Sequence, residues 1–313
     1  MSSSGPPATF AITPDGPFSL DEAAAFGFGP RRGGRAPGGA RMRLAFVTDD
    51  LAHHAAARVT QDPDGTIRGR VETDGDPQAA WRQVLRVLSL DHAGTAWEQA
   101  GTRDPVLGQL QREHRGLRPV LFHSPYEAAA WAIISARRHR STAAVIRERI
   151  CDKLGRTFDE GEGEGGGEDA AGGELAAFPL PARLLAAPSL PSIAPQRVPW
   201  LHAVARAALD GDLDPARLAA MEPARALPRL QALPGIGPMY ATLILLRSTG
   251  TADALTLTEP RLPSYIAHFY GLGPGPASPA QVARIAAGWR PFRTWGSVLI
   301  RVAGDRLNLP AAA

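Results

Sequence analysis

A short glycine-containing segment, residues 233–237, has the residue types of a phosphate-binding turn. It reads Leu233-Pro-Gly235-Ile236-Gly237 and lies between two stretches with helical apolar spacing. The glycines permit a sharp bend and close approach of a nucleic acid backbone, and N–H groups at a helix start attract phosphate. Ile236 is predicted to plug the turn into the core. The same residues fit an ordinary corner between two helices, so the segment alone leaves both interpretations open.

The charge distribution suits a polyanionic partner. The 313-residue chain has a formal net charge of +3, and Lys153 is its only lysine, so nearly all its cations are arginines. Residues 159–174 hold seven acidic side chains and no basic one, so the remaining residues carry a higher net positive charge than the whole chain. We interpret this acidic, glycine-rich insertion as a disordered surface segment. Arginines favour phosphate backbones, but a GC-rich genome also places them at solvated positions.

Several classes of site are excluded or disfavoured. Cys151 is the only cysteine, which excludes an intrachain disulfide, a four-cysteine zinc site and a cysteine-ligated iron–sulfur cluster. His53 and His54 are adjacent and cannot share a helical face, so we interpret them as surface histidines. No stretch approaches the roughly 18 apolar residues of a membrane span, and no signal-peptide pattern opens the chain. We therefore expect a soluble, cytoplasmic protein. We also expect a monomer, since no self-complementary apolar patch is recognisable in the sequence.

The first third of the chain is predicted to be a strand-rich α+β domain, residues 18–112, behind a flexible terminus, residues 1–17. Residue alternation and the turn Asp62–Gly65 predict strands and a hairpin. The predicted strands are 43–47, 56–62 and 66–73. Apolar spacing predicts a helix over 77–90, and the composition of Arg31–Ala40 predicts a flexible loop.

Residues 113–310 are predicted to be all-helical. Ser124, Pro125 and Glu127 have the types expected at a helix N-cap, first position and first turn, and Ser141 is predicted to cap a second helix. Further helices are predicted over 181–187, 199–210, 224–232, 238–248, 261–270 and 279–304.

Three segments resemble the helix-hairpin-helix DNA glycosylases, and more narrowly the bacterial DNA-3-methyladenine glycosylase II type. After the 233–237 hairpin come a helix, Gly250–Asp253, and an acidic residue near the next helix start. Residues 289–295 (WRPFRTW) are similar to the W-[RK]-P-[aromatic]-R-[ST] motif of that family. Residues 122–128 (FHSPYEA) are similar to the segment that opens its first catalytic-domain helix. The resemblance spans roughly residues 18–310. It implies an α+β fold: a strand-rich N-terminal domain followed by an all-helical helix-hairpin-helix glycosylase domain.

This resemblance implies a monofunctional DNA glycosylase that hydrolyses the N-glycosidic bond of a damaged, alkylated base flipped out of duplex DNA. Such a reaction passes through an oxocarbenium-like sugar, which a carboxylate stabilises while it positions water. Glu259 matches the family's catalytic aspartate; the extra methylene moves the carboxylate by roughly a bond length. The alternative is that Glu259 only caps the helix that begins near Pro260. By the same resemblance, Asp253 is structural.

The resemblance also indicates which cofactors and partners to expect. Bifunctional relatives carry a lysine where this chain has Met239, and Lys153 lies in another helix, so no lyase step is implied. The implied partner is double-stranded DNA in a bacterial nucleoid. A monovalent cation at the hairpin is implied as well, with neither zinc nor an iron–sulfur cluster.

The resemblance assigns residues to DNA binding and to a base pocket. Leu233, Gly235, Ile236 and Gly237 form the DNA-binding hairpin. Arg137 matches the family's wedge and, with Arg138, could instead pair with phosphates. The implied pocket residues are Met239, Leu243, Phe26, Trp131 and Arg301.

The predicted pocket departs from the family at three positions. Family aromatics occur where this chain has Met239, Leu243 and Arg301, and aromatic faces are what attract cationic bases. Arg301 disfavours such a base unless its charge is neutralised, so the pocket suits a different, neutral lesion. Trp131 could line this pocket or could instead pack in the core of the domain.

Two alternatives to an enzyme follow from the same residues. A non-catalytic DNA-binding protein on a glycosylase scaffold accounts for the glutamate at 259 and the missing aromatics. A helical protein whose hairpin is only a packing corner would have no DNA role.

Overall fold

The computed structural model describes residues 6–26, 32–36, 39–158, 174–255 and 259–310, with only the backbone for 32–36 and 39–40. Within these residues a five-stranded sheet precedes a series of helices, which confirms the predicted α+β class. The acidic insertion, residues 159–174, lies outside the described residues except for Glu174.

The sheet is antiparallel, with strand order β1-β5-β4-β3-β2. Its strands are β1 (Ala8–Ile12), β2 (Arg32–Ala36), β3 (Gly39–Val47), β4 (His54–Gln61) and β5 (Ile67–Thr73). The three predicted strands are confirmed as β3, β4 and β5. Two predictions are wrong: strand β1 lies in the predicted loose terminus, and β2 and the start of β3 lie in the predicted flexible loop. Strand β1 pairs with β5 and β2 pairs with β3. Local composition does not reveal such pairing with an edge strand.

The described helices cover most of the remaining chain. They are α1 (Leu20–Ala25), α2 (Pro77–Val87), α3 (Gly94–Arg103), α4 (Pro105–Glu113), α5 (Pro125–Ser135), α6 (Arg140–Leu154), α7 (Pro181–Ala186), α8 (Val198–Leu209), α9 (Pro215–Ala219), α10 (Pro223–Gln231), α11 (Pro238–Ser248), α12 (Leu262–Phe269), α13 (Pro279–Ala287) and α14 (Arg293–Arg306). A short hairpin, β6 (Arg156–Phe158) and β7 (Leu175–Ala177), flanks the acidic insertion.

Two predicted helix boundaries need correction. The predicted helix over 279–304 is two helices, α13 and α14, because Pro291 within it would lack a donor N–H and clash with the preceding turn. The cap of α6 is His139 and not Ser141; the His139 side chain accepts the Ser141 backbone N–H.

The helices α3 and α4 pack with the C-terminal helices and not with the sheet. Asp104 caps α4 through the N–H groups of Val106 and Leu107, both at 3.1 Å. The same carboxylate accepts the indole N–H of Trp289 at 3.0 Å. Trp97 and Trp289 lie in one core cluster. The sheet and α2 share a separate core, so packing divides the chain nearer residue 90 than the predicted 112.

A buried carboxylate, Glu127, joins the sheet to the helical part. Ser124 caps α5 as predicted and accepts the Glu127 backbone N–H at 3.2 Å. The Glu127 carboxylate accepts the Val47 N–H of β3 at 3.1 Å and an Arg147 N–H of α6 at 2.8 Å. Its second oxygen also lies 3.1 Å from Nδ1 of His123. One side chain therefore fixes β3, α5 and α6 relative to one another.

The environment of Glu127 determines how this contact depends on pH. Burial raises the pKa of the carboxyl, but His123, Arg147 and the Val47 amide outweigh it and hold that pKa at about 2, below the ordinary 4.5. Because the folded-state pKa is depressed, ionised Glu127 stabilises the fold above pH 4.5. This contribution is lost as the pH falls from 4.5 towards 2.

Glu127→Gln is expected to lower the free energy of unfolding by about 3–5 kcal/mol at pH 7, because Arg147 stays buried without its hydrogen-bonded counter-charge. Urea unfolding measures the loss, which should shrink below pH 4.5. The control is Arg229→Gln, which removes only an exposed ion pair with Asp212 and should cost less than about 1 kcal/mol. A Glu127→Gln loss no larger than the control's would contradict the assigned role.

Candidate active site

The Leu233–Gly237 segment forms the turn between α10 and α11. Gly235 has φ = +83°, and an added Cβ would lie 2.7 Å from the Trp200 ring, so conformation and packing both require glycine. Ile236 is 4% exposed, which confirms that it plugs the turn into the core. Its N–H donates to the Leu233 carbonyl at 3.1 Å and closes the turn.

The start of α11 presents unused hydrogen-bond donors. The backbone N–H groups of Gly235, Gly237, Met239 and Tyr240 donate to no acceptor in the described parts of the chain. Gly237 faces open space, since an added Cβ would meet no atom within 4 Å. These donors and the positive end of the helix dipole together form a binding site for an anionic group such as a phosphate.

Glu259 lies just before α12, and its two carboxylate oxygens have different surroundings. Oε1 accepts the backbone N–H of Arg261 at 3.3 Å and its side-chain Nε–H at 3.1 Å. Oε2 accepts no hydrogen bond from a described residue, and the side chain is 32% exposed. Among the described residues, Arg261 therefore occupies one oxygen only and leaves the other able to meet a ligand or a water molecule, and α12 has no side-chain cap.

Arg261 links Glu259 to a second carboxylate. Its Nη1 donates to Oδ1 of Asp305 in α14 at 2.9 Å. Asp305 also accepts the Tyr265 hydroxyl at 3.0 Å and Nη1 of Arg301 at 3.1 Å. Burial acts to lower the pKa of Arg261, but Glu259 and Asp305 raise it, so the guanidinium stays charged. Two carboxylates and two arginines thus form a continuous ion-pair chain.

Glu259 and Arg301 line one cavity of about 270 Å³ beside the start of α11. Its walls come mainly from α11, α12 and α14. The other lining residues are Met239, Thr242, Leu243, Leu246, Arg247, Ala254, Arg261, Leu262, Thr294, Ser297 and Val298. The structure therefore brings four predicted site residues together (Met239, Leu243, Glu259 and Arg301), and none of the described lining residues is aromatic.

A larger cleft of about 900 Å³ adjoins this cavity and shares Met239, Arg261 and Arg301 with it. Trp131 and Arg138 also line the cleft. Trp131 is also half-buried against the helical core, which is the alternative role predicted for it. The predicted pocket thus opens into a basic cleft beside the end of α5.

The loop after α5 gathers three arginines. Arg137 is exposed and has φ = +57°, a conformation that non-glycine residues rarely adopt. Arg138 and Arg197 donate to carbonyls at the C-terminal end of α5, at 2.7–3.2 Å. Burial, followed by the charges of Arg138 and Arg137, lowers the pKa of Arg197. These contacts hold Arg137 at the tip of the loop.

The structure does not bring Phe26 to the cavity. Its ring is 9% exposed in the core of the sheet domain and lies 4.7 Å from the guanidinium carbon of Arg247. Arg247 lines the cavity in its place. The sequence does not predict the contact of Arg247, because Phe26, its partner, belongs to the other domain. The sequence can predict the pairing of Arg301 with Asp305, because the two residues are four apart on one helix.

The other candidate residues have structural partners. Asp253 accepts Nε–H of Arg293 at 2.7 Å and its backbone N–H at 3.2 Å, which fits the implied structural role. His54 is buried, contrary to its prediction as a surface residue, because its ring contacts the Phe178 carbonyl at 3.1 Å. The described residues contain no group of three side chains suited to a metal ion. None of the described helices has the length and apolar character needed to cross a membrane.

Comparisons with known proteins reveal a shared fold. No protein-family model and no curated protein matches the sequence. A 3-methyladenine DNA glycosylase from Archaeoglobus fulgidus is 18% identical, with TM-score 0.72 over 96% of this chain and 100% of its own. An 8-oxoguanine glycosylase/lyase from Clostridium acetobutylicum is 14% identical, with TM-score 0.63 over 96% and 97%. A DNA-3-methyladenine glycosidase from Bacillus halodurans is 20% identical, with TM-score 0.52 over 68% and 90%. The chain therefore has the fold of these glycosylases.

Gly235→Ala is expected to lower the free energy of unfolding by at least about 1–2 kcal/mol, the cost of a left-handed conformation for an L-residue, and the Trp200 contact adds to it. Gly237→Ala is the matched control, because its φ is −84° and its surroundings are open. That variant should lose no more than about 1 kcal/mol. Thermal unfolding compares the two, and equal losses would contradict the turn geometry.

Proposed function

We propose that this chain, which has the fold of DNA glycosylases, is a monofunctional DNA glycosylase of base excision repair. The observation that carries the proposal is Oε2 of Glu259, to which no described residue donates, in a cavity beside the start of α11. Met239, two residues past Gly237, lines that same cavity. A DNA strand held at the turn would therefore pass the mouth of the cavity.

In the proposed reaction, a nucleotide leaves the base stack and its base enters the cavity. Positive charge develops on the sugar as the bond from C1′ to the base nitrogen breaks, and Glu259 stabilises that charge. A water molecule at Oε2 adds its oxygen to C1′ and gives a proton to the carboxylate. The base departs with the electron pair of the broken bond and takes a proton from solvent water, and the carboxyl of Glu259 later returns its proton to solvent. Arg261, bound to Oε1, keeps the carboxylate in one orientation.

The proposal includes no lyase step. A lyase of this kind needs an amine that forms a Schiff base with the sugar. The residue two positions past the turn is Met239, which carries no amine. Lys153, the only lysine in the sequence, lies in α6, whereas α11, α12 and α14 supply most of the cavity walls.

The proposed partner is duplex DNA that contains a damaged base. Alkylated bases are the class implied by the sequence resemblance. The hairpin would bind backbone phosphate, and Arg137 at the loop tip would fill the gap left by the flipped nucleotide. We propose a monomer that acts in the cytoplasm on the bacterial nucleoid.

A monovalent cation suits the donor set of the hairpin. The carbonyl oxygens of Pro234, Gly235 and Ile236 accept no hydrogen bond from the described residues. Such oxygens are hard ligands that bind hard cations. We propose that these three carbonyls would hold the ion, which would add positive charge beside a bound phosphate.

A second candidate function is DNA binding without catalysis. The observation that favours it is the ion pair between Arg261 and Glu259, which engages the carboxylate that catalysis would need. The described residues that line the cavity also include none of the aromatic side chains that the resemblance implies. Under this alternative, the turn binds duplex DNA but no base is released.

Glu259→Gln is expected to reduce base release by on the order of 10²–10³-fold, because a preorganised charge at the developing cation is lost. Mass spectrometry of bases freed from alkylated and deaminated duplexes measures it, and DNA affinity should stay unchanged. The control is Glu148→Gln, which removes an exposed carboxylate of the larger cleft and should retain full release.

The outcomes separate the three interpretations. Equal release by wild type and Glu259→Gln would refute the role of Glu259. Salt-dependent DNA binding without release from any duplex would identify the non-catalytic alternative. The absence of salt-dependent binding would leave the turn as a packing corner.

A further inference from the structure

The charges around the small cavity are unfavourable for a cationic base. Among the described residues, the lining includes three arginines, Arg247, Arg261 and Arg301, but one carboxylate, Glu259. Asp305 adds one further negative charge behind Arg261 and Arg301, so the five groups together keep an excess of positive charge. A positively charged alkylated purine would meet like charge there, and no described lining residue offers an aromatic face to offset it.

Arg301 offers hydrogen-bond donors that no described residue accepts. Nη1 donates to Asp305 at 3.1 Å, whereas Nε and Nη2 donate to no described residue. The side chain is 19% exposed and lines both the small cavity and the larger cleft. A guanidinium carries five N–H donors in a rigid planar fork, so Arg301 can still bind two acceptors lying in one plane.

We propose that the cavity selects a neutral 6-oxopurine, represented by hypoxanthine, the deamination product of adenine; this inference rests on the proposed glycosylase function. The O6 and N7 atoms of such a base are the acceptor pair that an arginine fork binds with two hydrogen bonds. Adenine and 3-methyladenine carry an amino donor in place of O6, and 7-methylguanine has its N7 blocked. Arg301 thus separates deaminated purines from alkylated ones.

Undamaged guanine presents the same O6 and N7 edge, so Arg301 alone cannot reject it. The rejection comes from the cost of flipping, which is smallest for a mismatched or damaged base. Hypoxanthine opposite thymine is a mismatch, whereas guanine opposite cytosine is fully paired. The proposed selectivity therefore combines weak pairing in the duplex with the acceptor edge in the cavity.

Single-turnover base release tests the proposal on duplexes that carry hypoxanthine opposite thymine, 7-methylguanine, 3-methyladenine, 8-oxoguanine or uracil. The wild type should release hypoxanthine at least tenfold faster than either alkylated purine. Arg301→Met keeps a long side chain but removes the donors. It should lower the ratio of hypoxanthine to 7-methylguanine release by roughly 10–100-fold, the discrimination expected of a bidentate arginine–purine contact.

Two further variants make the test specific. Arg301→Lys keeps the charge without the planar fork and should restore only part of the ratio. Arg284→Met removes an exposed arginine of α13 outside the cavity and should keep the wild-type ratio. Asp305 retains Arg261 and Tyr265 as partners in the Arg301 variants, so thermal unfolding should show them folded.

The results distinguish this inference from the function it rests on. Faster release of an alkylated purine, of uracil or of 8-oxoguanine than of hypoxanthine would overturn the 6-oxopurine assignment while the glycosylase function stands. A release ratio unchanged in Arg301→Met would also overturn it. No release from any duplex would refute the proposed function itself.

Discussion

The buried carboxylate of Glu127 is the contact on which the geometry of both parts of the molecule depends. It holds strand β3 through Val47 and helix α6 through Arg147, while its own backbone N–H belongs to the capped start of α5. Because α5 is fixed at its first turn, the loop at its other end has a defined position. That loop carries Arg137 and borders the cleft that leads to Glu259. A buried ion-pair network therefore determines where the basic loop lies beside the cleft.

The ion-pair chain around Arg261 joins the residue that precedes α12 to the cavity. Glu259 binds Arg261 with one oxygen, and no described residue donates to the other. This contact costs the site little, because the proposed reaction needs one oxygen for the water and a fixed charge near the sugar. The same chain ends at Arg301, whose guanidinium also lines the cavity. In the proposed function, charge stabilisation at the sugar and recognition of the base thus belong to one connected network.

Local rules predict much of this molecule, and long-range contacts account for the failures. Cap and turn residues give the start of α5 at Ser124 and the turn at residues 233–237, because those signals act within a few positions. Strand β1 escapes prediction because β5, far along the chain, supplies its partners. The stacking of Phe26 under Arg247 and the pairing of Arg261 with Asp305 likewise join distant segments. Most of the fold and the position of Glu259 are therefore predictable from sequence, whereas the charges around the cavity require the structure.

The central claim is that Glu259 faces a developing positive charge on the sugar. The most direct measurement is the affinity for two duplexes, one with a cationic pyrrolidine in place of a single deoxyribose and one with neutral tetrahydrofuran there. The wild type should bind the cationic duplex at least about tenfold tighter, as expected for a transition-state mimic. Glu259→Gln should remove that preference while binding the neutral duplex equally well. Equal affinity of the wild type for both duplexes, or a preference that survives in Glu259→Gln, would contradict the account.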